Sequence, residues 1–429
     1  MIITLKRIFT TMEPILIAVM VGAFWYASPT RDRWLWLLVL IPLSWGLRWL
    51  IYGRVWTRTP WDIFLVIFVI LSVINVYAAP YRRAPDIAYS FFVLMARPLL
   101  GIALFSYFVE KARERNRMDE LLGATLVLAG IVAVLALGAS QWNSKSQALR
   151  FMIDPLPRIA DYLGPFDAKG GFNANEIAGA LAWLCPLVAG LIAYQWSRYN
   201  RFWRGVTIVV FAALFLAIFL GQSRFALAGT LIALAVLVKL LIPMRRARWA
   251  SWAALVAIAV LEILIVRDVF VPPDQRQLAE RDEASMSTRL DIWGSALHIM
   301  RDYPLTGVGL NMFRDGRVRA LYPVPTFPNP VLPHTHQEWL QVGTDMGIPG
   351  LIVFIGLQAV TIYALYKGYR QGTASSKAVF AAVGAGLFAH AFFGLGDAIT
   401  LWDRFAFVFW WLAALGGAQY VLQGRKSQL

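Results

Sequence analysis

The stretch Arg204–Pro243, RGVTIVVFAALFLAIFLGQSRFALAGTLIALAVLVKLLIP, decides how the chain is read. Two apolar runs, 204–220 and 225–243, flank a link of only Gly221-Gln222-Ser223-Arg224. Each run is about the 17–25 residues that a helix needs to cross hydrocarbon. The pair reads as two membrane helices joined by a tight turn. That turn sets an arginine at the membrane surface.

The rest of the chain has the same character. Of 429 residues, 59% are hydrophobic and 15% charged, with a mean hydropathy of +0.59. A soluble chain carries about 25% charged residues. The composition therefore implies an all-α polytopic membrane protein. Its 18 Trp, 15 Tyr and 27 Phe suit interfacial aromatic belts. A net charge of +15 would suggest nucleic acid as partner in a soluble protein. Here the positive-inside rule absorbs most of it, and no nucleic acid is expected. Cys185 is the only cysteine. It reads as a small apolar filler within a span, with no intrachain disulfide.

Spans are expected near 14–28, 34–51, 61–79, 87–109, 120–140, 176–196, 204–220, 225–243, 249–267, 348–366, 378–395 and 401–422, about twelve in all. The first follows Lys6 and Arg7 and reads as a span, with no cleavable leader evident. Lys and Arg crowd alternate loops: Lys6/Arg7, Arg48/Arg54/Arg58, Lys111/Arg113/Arg115/Arg117, Arg198/Arg201/Arg204, Arg245/Arg246/Arg248, Lys367/Arg370/Lys377 and Arg425/Lys426. The loops between are poorer in positive charge. Both termini are therefore expected in the cytoplasm. The segments 141–175, 221–224, 268–347 and 396–400 then share the far side, which brings Arg224, Arg289 and His336 to one membrane face.

The far-side segment 268–347, between spans nine and ten, is too long for a simple connection. It opens with VPPDQRQLAERDEASMS, which is polar and expected to be mobile. A helix is expected from about Ser287 to Met300, with Ser or Thr as its cap. Its stripe of Leu290, Trp293, Leu297 and Met300 suits the bundle or the lipid interface. PLTGVGLNMF reads as a turn. ALYPVPTFPNPVLPHTH has five prolines and is not regular helix. A new helix is expected from His336, entering the tenth span near Gly347–Gly350.

Few groups in this pattern carry chemistry. Arg224 either snorkels to headgroups or holds a guanidinium in a surface cavity, where its planar fork suits phosphate. Arg289 lies near the N-terminus of the far-side helix, where an anion is favoured. Its bland alternative is an ion pair with Glu283 or Asp291. His336 offers a neutral imidazole as a general base, or it caps a helix. His334 and His336 form H-x-H, a weak metal signal with no cysteine nearby. His298 reads as structural. His390 lies inside a span, as a functional group or a helix–helix hydrogen bond. Arg97, mid-span before Pro98, points toward a lipid diphosphate or braces the fold. Asn173, Asn175 and Glu176 begin the sixth span from the far side. With Asp397 and, beside His336, Glu338, they are further candidates to line a far-side cavity. No Walker loop, Rossmann fingerprint, HExxH or G-x-S-x-G is present, and no cofactor or metal is expected.

Four blocks resemble the bacterial O-antigen ligase and polymerase superfamily, and most closely its lipopolysaccharide O-antigen ligases. They are GGFNANEIAGALAWLCP (170–186), GQSRFALAG (221–229), TRLDIWGSALHIMRDYPLTGVGLNMF (288–313), and His336 with Leu340, Asp345, Gly347 and Gly350. Gln337 and Asp345 stand where Asn and Glu are usual. The resemblance covers about 171–350. It implies a metal-independent, inverting glycosyltransferase of the GT-C class in the bacterial inner membrane. The donor would be undecaprenyl-diphosphate-linked O-antigen. The acceptor would be a sugar hydroxyl of lipid A–core, met on the periplasmic side among membrane lipids. Carried over residue by residue, Arg224 and Arg289 bind the diphosphate and His336 is the catalytic group. O-antigen polymerase and protein O-oligosaccharyltransferase share this donor and differ in acceptor. A lipid-linked glycan flippase is the alternative from another class. It would need charges lining a path through the membrane, and Arg97 is the one clear candidate.

Overall fold

The computed structural model describes residues 12–16, 18–19, 21–22, 38–80, 85–115, 118–142, 149–158, 171–195, 200–242, 245–266, 286–325 and 332–426. Its described helices are α1 (Leu40–Tyr52), α2 (Asp62–Ala78), α3 (Pro85–Arg115), α4 (Met118–Ala139) and the short α5 (Arg150–Ile153). There follow α6 (Ala174–Gln195), α7 (Arg201–Gly221), α8 (Arg224–Leu241), α9 (Arg245–Val266), α10 (Met286–Asp302) and α11 (Gly316–Leu321). The last three are α12 (Glu338–Gln371), α13 (Ala374–Phe393) and α14 (Phe407–Lys426). The one strand pair described is parallel, with β1 (Ser140–Gln141) beside β2 (Phe172–Asn173).

Among the described residues, seven helices are long and apolar enough to cross a membrane, and α2 is a shorter apolar one. The chain is thus an all-α, multi-pass membrane protein. The expected spans from 34–51 onward each fall on a helix. Most of 14–28 lies outside the described residues, as do the polar opening of the far-side segment up to residue 285 and part of its proline run. α3 outruns its expected span because the polar tail EKARER continues the same helix.

The chain divides into two compact units. Unit 1 holds 1–118, 292–364 and 400–429. There α14 packs along α3, with Phe108 edge-on to Trp411 at 4.8 Å between ring centroids. The indole of Trp61, at the start of α2, donates to Thr361 Oγ1 of α12 at 2.8 Å. Arg48, expected among the loop charges, is buried instead. It meets Glu13 at 2.5 Å and Glu110 at 3.7 Å, and Arg54 reaches Glu110 at 3.1 Å. Mutual pairing lets these charges leave water.

Unit 2 holds 119–291 and 365–399. Its centre is α6, buried along most of its length and packed against α7, α8 and α13. Small residues set that closeness: a side chain on Gly190 would run into Ala382 of α13. His390 of α13 stacks on Trp183 of α6, with ring centroids 3.3 Å apart and Nδ1 3.4 Å from the Gly179 carbonyl. Of its two expected roles, the helix–helix hydrogen bond is the one the packing supports.

Candidate functional site

In unit 2 the site residues gather at the start of α8. The link between α7 and α8 turns through Gln222, whose φ of 49° is left-handed. Gly221 lies so close to Ala174 and Ala178 that a Cβ would meet them at 3.0 Å or less. This ties the turn to the first turn of α6. Ser223, the N-cap of α8, makes no side-chain cap, and no acid stands in the first turn. The positive end of the helix is left open. Arg224 is exposed and, among the described residues, makes no ion pair or side-chain hydrogen bond.

Phe225 links this turn to two other segments. A side chain on Gly396 would collide with its ring. The Arg289 guanidinium stands 5.5 Å from its ring centroid, an attractive cation–π placement. Arg289, 65 positions from Arg224 in sequence, thus contacts the residue next to it. Asp397 carries the assembly further: its Oδ2 accepts from the Asn175 amide. Asn173 stands exposed just ahead of α6. Its Oδ1 caps α6, accepting from Asn175 N–H at 2.8 Å and Glu176 N–H at 3.3 Å.

In unit 1 the site is built around His336, two residues ahead of α12. His336 is 7% exposed and has a left-handed φ of 51°. Such a backbone is uncommon for a residue with a Cβ and persists only where its surroundings enforce it. The enforcement is visible. Thr335 N–H donates to Gln341 Oε1 at 2.8 Å, and Thr335 Oγ1 to the Gln337 carbonyl at 2.8 Å. Gln337 Oε1 accepts from Leu340 N–H at 2.5 Å, capping the helix. Gln341 Nε2 in turn donates to Asp345 Oδ1 at 2.9 Å. His334 accepts the His336 N–H on Nδ1 at 3.2 Å, and their rings meet edge-on at 4.4 Å. Glu338 is buried at the start of α12.

The expected turn PLTGVGLNMF docks on the same helix. Val308 N–H donates to Thr344 O at 2.8 Å, and Ile348 N–H to Pro304 O at 2.8 Å. Gly307 (φ +61°) and Gly347 (φ +70°) sit where a Cβ would strike the opposing backbone. α12 breaks at Gly347, so 338–346 is a separate segment ahead of the span. Asp345 lies in that segment. Burial pushes its carboxyl up to about 7, against the hydrogen bond from Gln341 that pulls it down.

Arg97 donates from Nη1 to the Trp402 carbonyl at 2.9 Å, both in unit 1, which favours a brace over a path for charge. On α10 the buried face is Thr288, Ile292, Ser295, Ala296 and Ile299, while Leu290 and Leu297 point outward. The expected stripe is thus the flank of the packed face, and His298 is exposed. Phe225 and Gln341 went unremarked in the sequence. An aromatic beside an arginine and a glutamine four residues before an acid carry no recognisable signal alone.

Residues 209–355 match the family model described as O-antigen ligase, which sets this region in the O-antigen ligase and polymerase superfamily. No curated protein matches the chain significantly.

Proposed function

We propose that the chain is a periplasmic, inverting glycosyltransferase that moves O-antigen polysaccharide from undecaprenyl diphosphate to a sugar hydroxyl of lipid A–core. In this reading it is a single membrane domain of the GT-C class. It has about twelve spans, both termini in the cytoplasm, and 268–347 as its periplasmic catalytic segment. The carrying observation is that Arg289 stands over the ring of Phe225, the residue after Arg224, beside an uncapped helix start. Two guanidiniums at a helix N-terminus match a diphosphate, and they supply charge that many transferases take from a metal.

The reaction is a single displacement. The acceptor hydroxyl oxygen attacks the anomeric carbon while its proton passes to His336. The bond from that carbon to the phosphate oxygen breaks, its electron pair stays on the diphosphate, and the configuration inverts. Arg224 and Arg289 stabilise the charge growing there. The diphosphate leaves readily, so no strong general acid is needed. Asn175 and Asp397 hold the arginine turn in place, and Arg97 braces the fold.

The test is reconstitution of the purified protein with lipid-linked donor, EDTA, and either lipid A–core or a protein acceptor. Transfer to lipid A–core in EDTA is expected. Transfer to protein alone would move the chain to the oligosaccharyltransferases, and elongation of the donor alone to the polymerases. Transport of donor across the bilayer without transfer would make it a flippase.

A further inference from the structure

The segment 338–346 of α12 ends in a way that leaves carbonyls stranded. Gly347 breaks the helix, with φ 70° and ψ −173°. Pro349 has no N–H to return to the Asp345 carbonyl. The Ile348 N–H turns away to Pro304 O, so Thr344 O also loses its helical donor. Carbonyls buried this deeply need other partners. Thr344 O takes the Val308 N–H at 2.8 Å, and Asp345 O takes the Gly309 N–H at 3.2 Å. The remaining donor is a side chain from α2. Asn75 Nδ2 reaches Asp345 O at 2.7 Å.

Asn75 does more than fill that gap. Nδ2 also donates to Thr306 O at 2.8 Å, and Oδ1 accepts from Leu310 N–H at 3.2 Å. One amide, 2% exposed in an otherwise apolar helix, thus places both donors and its acceptor on two distant pieces of chain. Burying an amide is costly unless it is fully paired, and here it is. A leucine would suit the helix better, so the residue type answers to the clamp.

We infer that Asn75 is a positioning residue for His336, an inference that rests on the role proposed for that histidine. Asp345 is where the two connections meet. Its carboxyl holds Gln341, which holds the Thr335 N–H beside His336. Its carbonyl is held by Asn75 and by the 304–310 loop. Asn75 therefore fixes the far end of the short helix whose near end presents the imidazole. A base must be held to within about 0.5 Å of its working geometry. An error of about 1 Å costs on the order of 10²-fold in rate.

Asn75→Asp keeps size and acceptor and loses both donors, and Asn75→Leu loses all three bonds. Two readings are taken on each full-length variant in lipid nanodiscs. One is amide hydrogen exchange over 304–310 and 338–346. The other is steady-state transfer from lipid-linked donor to lipid A–core. Both segments are expected to exchange faster. kcat should fall about 10–100-fold, while KM for the donor changes by less than about 3-fold. Unchanged exchange in both segments removes the clamp. Faster exchange with unchanged kcat, or a rise in KM alone, makes Asn75 a structural residue only and overturns the inference. If Asn75→Leu does not fold, Asn75→Asp decides, and failure of both to fold also overturns it. A wild-type protein that transfers no glycan defeats the proposed function instead, and the exchange reading still decides whether the clamp exists.

Discussion

Two helix starts in this chain are built on opposite plans. At α8 the cap residue Ser223 makes no side-chain cap, Arg224 is exposed, and the turn is closely packed, with Gly221 on α6 and Phe225 against Gly396. At α12 a chain of hydrogen bonds through Thr335, Gln337, Gln341 and Asp345 holds the turn, and His336 is buried in a left-handed backbone. On the proposed roles, the difference follows from the chemistry each would serve. An anion needs open N–H groups and an unpaired guanidinium. A general base needs a fixed imidazole. On that reading the first turn of α8 carries no acid, and the turn at His336 is held by several hydrogen bonds.

The hardest blow to this contrast falls on the base. His336→Ala should lower transfer by about 10²–10⁴-fold while the protein still inserts and elutes as a folded species. Wild-type-like transfer by that variant would end the assignment. The arginine end is tested by Arg289→Lys, which keeps the charge and loses the planar fork. Transfer should fall about 10–100-fold, mostly through weaker donor binding. Full activity would leave Arg289 a structural partner of Phe225. A smaller effect is expected where shape alone does the holding. Gly396→Ala sets a methyl group against the Phe225 ring. It should destabilise unit 2 by about 1–3 kcal/mol, read as a lower unfolding temperature. An unchanged unfolding temperature would mean that the ring moves aside at no cost.

The same contrast explains what the sequence could and could not reveal. Membrane character was legible because hydrocarbon thickness fixes the length of an apolar run, and seven of the described helices are long and apolar enough to cross. Arg224, Arg289 and His336 stood out because charged and titratable side chains are few in so apolar a chain. Their supports did not. Asn75 lies within an apolar run and bonds to residues more than 200 positions away, and no local pattern announces such a partner. Asn173, a candidate cavity residue, also caps α6. Its sequence signal, an Asn just ahead of an apolar helix, fits a cap as readily as a ligand. Arg48 was counted as a loop charge because a sequence shows that a basic residue stands at a span end. It does not show that two glutamates turn inward to meet it.

The subtlest test concerns the link between the histidine turn and its support. The Asp345 carboxyl is raised from its ordinary value of 3.8 to about 7, first because it is buried. The folded protein therefore holds this proton more tightly than the unfolded chain does. The stability gained from that proton is complete below 3.8 and is lost as pH rises to about 7. Asp345→Asn keeps an oxygen to accept from Gln341 and has no proton to lose. Its unfolding temperature should decline less than that of the wild type over that range, and the two curves should run parallel above it. Identical slopes would mean that the carboxyl is already ionised in the folded state. The Gln341 bridge beside His336 would then be made to a full negative charge.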